Sequence, residues 1–143
     1  MDEFYDLNRF VDAQEPIFGD VIDELKKGTK QSHWMWFVFP QLAGLGHSST
    51  ARYYAISSLG EARAYLAHPV LGPRLRQSLG TLLGWAGTRS AQQILGSVDS
   101  LKLRSSLTLF DVVEPGGPFR DGLAAFYSDE PDQRTLALLN GQA

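Results

Sequence analysis

The sequence predicts an all-α single domain of about seven to nine short helices. Three observations predict it. Apolar residues recur at i, i+4 and i+7 along most of the chain, the spacing that places them on one helix face. Ser and Asp stand before these runs and Gly or Pro after them, as helix starts and stops require. Val/Ile-rich alternating runs joined by a hairpin signal are absent.

Taken in order, Leu7, Phe10 and Val11 share a face in a first short helix that Pro16 interrupts. Ile17, Val21 and Leu25 follow at i, i+4, i+8, with Asp20, Asp23 and Glu24 off that face. Lys26 and Lys27 suit the helix dipole there, and Gly28 suits C′. Residues 33–39 carry strand propensity, yet a lone strand would lack a partner, so a short helix or irregular buried segment is expected, with Ser32 as N-cap and Pro40 as terminator. Ser58-Leu-Gly-Glu61 reads as a capping box opening a helix through Ala62, Tyr65 and Leu66. His68-Pro69 breaks it, with Pro69 at N1 of a helix whose face is Leu71, Leu75, Leu79, Leu82 and Leu83, ending near Gly84 to Gly87. Ser90 caps a short helix over Ala91 to Leu95. Ser97 caps a longer one bearing Leu103, Leu107 and Phe110. Glu114-Pro-Gly-Gly-Pro118 is a loop. Phe119, Leu123 and Phe126 mark the next helix, and Asp132 caps a last one through Leu136 and Leu139.

The 143 residues, 43% hydrophobic and 20% charged, suit one core and argue against disorder. Net charge is −3, without the clustered positive charge that a nucleic-acid backbone demands, so no nucleic-acid partner is expected. The longest apolar run, Trp34 to Phe39, is too short for a bilayer, and the start Met-Asp-Glu-Phe-Tyr-Asp is acidic, so neither membrane span nor signal peptide is expected and the default location is cytoplasmic. Cysteine is absent, which removes disulfides and thiolate chemistry. His33, His47 and His68 lack metal-ligand spacing, so neither metal nor cofactor is expected.

Chemistry concentrates in residues 30–49, which hold two of the three Trp and two of the three His. Gly44-Leu-Gly46-His-Ser48-Ser-Thr50 can form a nest of backbone N–H groups for an anion, with a helix opened by Thr50 through Arg52, Tyr53 and Tyr54; an ordinary solvated turn with a hydroxyl cap explains the same residues. His33 suits a general base or a ligand donor, and equally a His bonded to a backbone carbonyl. Trp34, Trp36, Phe37 and Phe39 can wall a pocket for a planar ligand, or be core. A second cluster, Asp99, Lys102, Ser105 and Ser106, falls on one helix face. There a desolvated Lys could activate a hydroxyl, although a solvated ion pair is the simpler arrangement. Ser105, Ser106 and Thr108 in mid-helix point to polar contacts with another element.

The run Lys30-x-Ser32-His33-Trp34-Met-Trp36-Phe-x-Phe-Pro40-Gln41, then Gly44-Leu-Gly46, then Glu61-Ala-x-x-Tyr65-Leu-x-His68-Pro69-x-Leu71-Gly72, then Asp99-x-x-Lys102-x-x-Ser105-Ser-x-Thr108-Leu-Phe110, resembles an uncharacterised domain-of-unknown-function family across nearly the whole chain. Some members bear the name calpastatin, which belongs to long, polar, disordered inhibitors unlike this short aromatic chain. The resemblance implies a compact helical domain found alone as a small soluble protein. It brings no activity, cofactor or catalytic residue.

Three functions compete. The first is a small-ligand site, with catalysis possible, in which Lys30, Ser32, His33, Trp34, Trp36, Gln41, Gly44, Gly46, Ser48, Ser105 and Ser106 bind a small, phosphate-bearing molecule. His33, Lys102 and Asp99 are its catalytic candidates, with Asp99 or Glu61 orienting His33. The second is a protein-interaction module built on the aromatic block. In the third, that block is core alone.

Overall fold

A computed structural model describes residues 5–142; the acidic start, Met1 to Phe4, and Ala143 lie outside the described residues. Among the described residues ten helices follow one another: α1 (Asn8–Gln14), α2 (Phe18–Lys26), α3 (Met35–Val38), α4 (Ser49–Tyr53), α5 (Leu59–Ala67), α6 (Leu71–Leu83), α7 (Ala91–Leu95), α8 (Ser97–Val113), α9 (Pro118–Tyr127) and α10 (Gln133–Gln142). The fold is all-α, and its helix number slightly exceeds the expected seven to nine because the two segments open to more than one reading, 33–39 and the one after Gly46, both form short helices, α3 and α4. Among the described residues no strand occurs, only an isolated parallel bridge between Leu42 and Ile56. None of the described helices is long and apolar enough to cross a membrane.

The predicted faces are the buried ones: Val21 and Leu25 on α2, Leu71, Leu75, Leu79 and Leu82 on α6, Phe119 and Leu123 on α9. α8 is the central element and packs against α5, α7, α9 and α10. Residues 105–110 are all buried, so the second half of this helix is enclosed on every side rather than along one stripe. Phe10, Tyr65, Phe110 and Phe119 form a line of rings through the core with successive centroids 5.0, 5.5 and 5.5 Å apart. Such tilted and edge-on pairs add to plain burial because a ring edge meets a neighbour's face.

Several caps differ from expectation. α3 is capped at Trp34, not Ser32, and α8 at Gly96, whose φ of +91° suits glycine, with Ser97 already helical. Ser58 Oγ accepts from the Glu61 amide at 3.2 Å, but the Glu61 carboxylate turns to the Ser57 amide at 2.7 Å, so the box is not reciprocal. The reciprocal box is Ser90 with Gln93. Pro69 precedes the α6 N-cap, and His68 Nδ1 accepts from the Val70 and Leu71 amides at that junction. Gly28 does close α2, at φ +68°, and lies under the Trp85 indole, whose Nε1 donates to the Leu25 carbonyl at 2.8 Å.

Candidate functional site

The segment between α2 and α3 is organised by Glu24, a buried residue of α2. Its carboxylate accepts from the Gln31 amide (2.7 Å), the Ser32 amide (2.9 Å), Ser32 Oγ (2.6 Å) and Trp34 Nε1 (3.0 Å). Burial works against its charge, but the bonds from Ser32, Gln31 and Trp34 together outweigh that effect and hold the carboxyl below its ordinary value of 4.5. Trp34 is thereby core, 1% exposed with its indole N–H satisfied, and Ser32 is spent on Glu24. Neither lines a cavity.

Trp36, two residues on and half-buried, faces outward. The Lys102 ammonium lies 4.2 Å from its ring centroid, a cation–π contact that bridges α3 and α8. Asp99 joins two lysines, Lys30 at 2.8 Å and Lys102 at 3.3 Å, and Lys30 in turn sits 5.1 Å from the Trp34 ring. One carboxylate thus serves two ammonium groups, leaving net positive charge beside the indoles.

A cleft of about 570 Å³ opens between the 41–51 loop and the helices α8 and α10. Trp36, Gln41, Gly46, Ser48, Lys102 and Ser105 line it, all of them singled out from sequence. Gly46 permits the loop's close approach, since a Cβ there would stand 2.6 Å from that of Ala51. Ser48 Oγ accepts from the Ala51 amide at 3.1 Å, so this hydroxyl caps α4. The wall also carries His47, Val98, Leu101, Arg104, Asp132 and Arg134, which sequence reasoning missed as site residues. Asp132 belongs to the cleft through the fold. Its Oδ2 accepts from the Thr135 amide (3.0 Å), Thr135 Oγ1 (2.5 Å) and Ser105 Oγ (3.2 Å), capping α10 and tying it to α8. Its own amide donates to Thr108 Oγ1 at 2.8 Å, so Ser105 and Thr108 make the cross-element contacts their mid-helix positions imply. Arg104 donates to the Glu130 carbonyl at 2.9 Å, whereas exposed Arg134 has no charged partner among the described residues.

His33 lies elsewhere. It is exposed and lines a second, open groove of about 540 Å³ with Trp36, Phe37, Tyr53 and Tyr54. Tyr53 and Tyr54 pack edge-on at 4.8 Å, and Tyr54 lies 5.3 Å from Phe37. Burial, and then the neighbouring Tyr53, push the Tyr54 phenol above its ordinary value, so it stays protonated. Arg9 fixes this segment by donating to the Tyr53 carbonyl (2.8 Å) and the Ala55 carbonyl (2.9 Å) while pairing with buried Glu61 at 2.9 Å.

The structure therefore separates groups that the sequence had placed together. Glu61 is engaged by Arg9 and Asp99 by two lysines, so neither orients His33. Ser106 Oγ is buried without a hydrogen-bond partner among the described residues and lines no part of the cleft, and Lys102 turns to Asp99 and Trp36, so the Lys–Ser nucleophile is not assembled. Gly44, exposed at φ +102° against Leu138, is outside the cleft wall, and Lys30 lies behind Asp99. The cleft offers cations, an indole face, hydroxyls and a capped carboxylate. Among the described residues no group of three His, Cys, Asp or Glu is placed to hold a metal ion.

Comparison with curated proteins gives no match. Among solved structures, the chain is similar to the conserved hypothetical protein Rv1873 from Mycobacterium tuberculosis. The two share 50% identity over 95% of this chain and 97% of that one, with a TM-score of 0.92. A family described as "Protein of unknown function (DUF1810)" matches residues 4–139. Over that span and with that neighbour, the chain belongs to this family of unknown function, the kind of family that its Ser-His-Trp-Met-Trp-Phe block resembles.

Proposed function

We propose that the cleft between the 41–51 loop, α8 and α10 binds a small anionic molecule. The observation that carries this reading is the charge of the wall. Lys102, Arg104 and Arg134 line the cleft with one carboxylate, Asp132, whose Oδ2 is already taken up by three hydroxyl and amide donors. Asp99 and Glu130 pair with Lys102 and Arg104 from outside the wall, and Arg134 has no charged partner among the described residues. That arrangement stands in a chain of net charge −3. The volume of about 570 Å³ falls in the range of small-molecule sites, and the wall mixes apolar surface with a few convergent polar groups.

Thermal melting in the presence of inorganic phosphate, sugar phosphates, nucleotides and dicarboxylates tests it. A ligand at 100 times its Kd stabilises by about 2.7 kcal/mol, which raises Tm by roughly 5–10 °C in a domain of this size. Lys102→Ala removes a charge-assisted contact of about 1.5–3 kcal/mol, weakening the ligand roughly 10–100-fold with the fold retained. An unchanged affinity in that variant counts against the site.

A second reading, a docking surface for another protein, draws on Val98 and Leu101. They are 64% and 66% exposed on the cleft rim, one helical turn apart on α8. The same titrations separate the two, since a docking surface predicts no Tm change with any small anion.

A further inference from the structure

We infer that the ligand is a nucleoside monophosphate, its phosphate in the cationic cleft and its base in the aromatic groove; this rests on the anion-binding reading above. Trp36 borders both concavities, the cleft of about 570 Å³ on the Lys102 side and the groove of about 540 Å³ on the His33 side. A small recess of about 10 Å³ lies between them. It shares Trp36, Gln41, Gly46 and Ala51 with the cleft, and Trp36 and Tyr54 with the groove. The two concavities are therefore neighbours on either side of the Trp36 indole.

They differ in chemistry. The cleft carries three cationic side chains. The groove wall has no Lys, Arg, Asp or Glu, and most of it is aromatic. Tyr53 is 57% exposed, a large ring left in solvent, yet it is held edge-on against Tyr54 and its carbonyl is fixed by Arg9. Its backbone is anchored and its edge rests on Tyr54, so the exposed ring offers a planar ligand a face to stack on. Ser49 and Thr50 hydroxyls, with protonated Tyr54, give the same groove donors and acceptors that a heteroaromatic edge can use and a purely apolar ring cannot. A sugar phosphate or a dicarboxylate fills only the cationic cleft. A free aromatic fills only the groove. A base joined to one phosphate meets both, and stacking on exposed aromatics tolerates any base because each has a π-face.

The test is calorimetric titration of the whole chain with the four common nucleoside 5′-monophosphates, their nucleosides and inorganic phosphate. At least one monophosphate binds 10-fold or more tighter than phosphate, and its nucleoside binds more weakly than the monophosphate. Tyr53→Ala, a substitution at an exposed ring, lowers nucleotide affinity about 10-fold and leaves phosphate affinity unchanged. Arg134→Ala lowers both together. Phosphate binding with no gain from any base, or a Tyr53→Ala variant that binds nucleotide as well as the parent, overturns this inference and leaves the anion site standing. Absence of binding by phosphate and by all four nucleotides overturns both.

Discussion

Glu24 stands off the apolar face of α2, where an acidic residue reads as one more solvated charge. Instead, four hydrogen bonds converge on it and decide that Trp34 turns inward and Trp36 outward. Sequence carried the neighbourhood and not this assignment. The block of indoles and cations was legible because such a mixture is costly to bury unpaired. Which indole is core depends on a carboxylate one helix earlier, and no periodicity reports that. His33 shows the same limit, since its exposure follows from the turn that Glu24 ties down. Glu24→Gln keeps the shape and loses the charge, and costs about 1.5–3 kcal/mol at neutral pH. The sign of the pH dependence follows from the lowered carboxyl value. A glutamate whose folded value lies below the unfolded one stabilises the fold fully above about pH 4.5 and loses that contribution as pH falls through the folded value. Urea unfolding of parent and variant therefore gives a gap that is full at pH 7 and narrows below pH 4.5; a gap independent of pH contradicts the role given to this charge.

At the scale of elements, the longer helices were legible from their i, i+4, i+7 faces and their Gly and Pro stops. α3 and α4 were legible only as alternatives, a short helix or an irregular segment at 33–39 and a Thr50-opened helix or a solvated turn after Gly46, because helices of four and five residues make few internal hydrogen bonds and persist through tertiary contacts. α10 illustrates how an element and the site share a residue. Asp132 was readable as its cap, while its place on the cleft wall comes from the way α10 crosses α8, held by Ser105 and Thr108. The two roles respond differently to substitution. Asp132→Asn retains an oxygen that can accept from the Thr135 amide, and Asn caps helices about as well as Asp, so stability falls by no more than about 1 kcal/mol of helix-dipole interaction. Removing a negative charge a few ångströms from the bound anion is worth about 1 kcal/mol even in a water-like dielectric, so anion affinity rises roughly 5-fold. Paired melting and titration measurements check both signs; weaker anion binding in this variant contradicts the placement of the ligand.

For the whole molecule, the decisive quantity is where the charge sits rather than how much there is. The net charge of −3 repels anions at long range, while Lys102, Arg104 and Arg134 attract them at contact. Lys102 and Arg104 already have acidic neighbours in Asp99 and Glu130, so the cleft's field is short-ranged and largely compensated. Added salt then acts on two opposed terms. Distant repulsion is screened first, as the Debye length shrinks from about 30 Å at 0.01 M to about 8 Å at 0.15 M, and the contact attraction weakens less because Lys102 and Arg104 are partly buried. The affinity for a monophosphate consequently changes less than about 10-fold over that range. A surface that neutralises many phosphates of a single-stranded polynucleotide loses roughly 0.7 decade of affinity per decade of salt for each phosphate contacted. Titration of a monophosphate and of a single-stranded oligonucleotide at both ionic strengths separates the two. A shallow response for the monophosphate, with no steep high-affinity binding of the oligonucleotide, is the outcome expected of a cleft built for one anion. A slope of several decades would place the ligand on an extended basic surface and require cations beyond those that line the cleft.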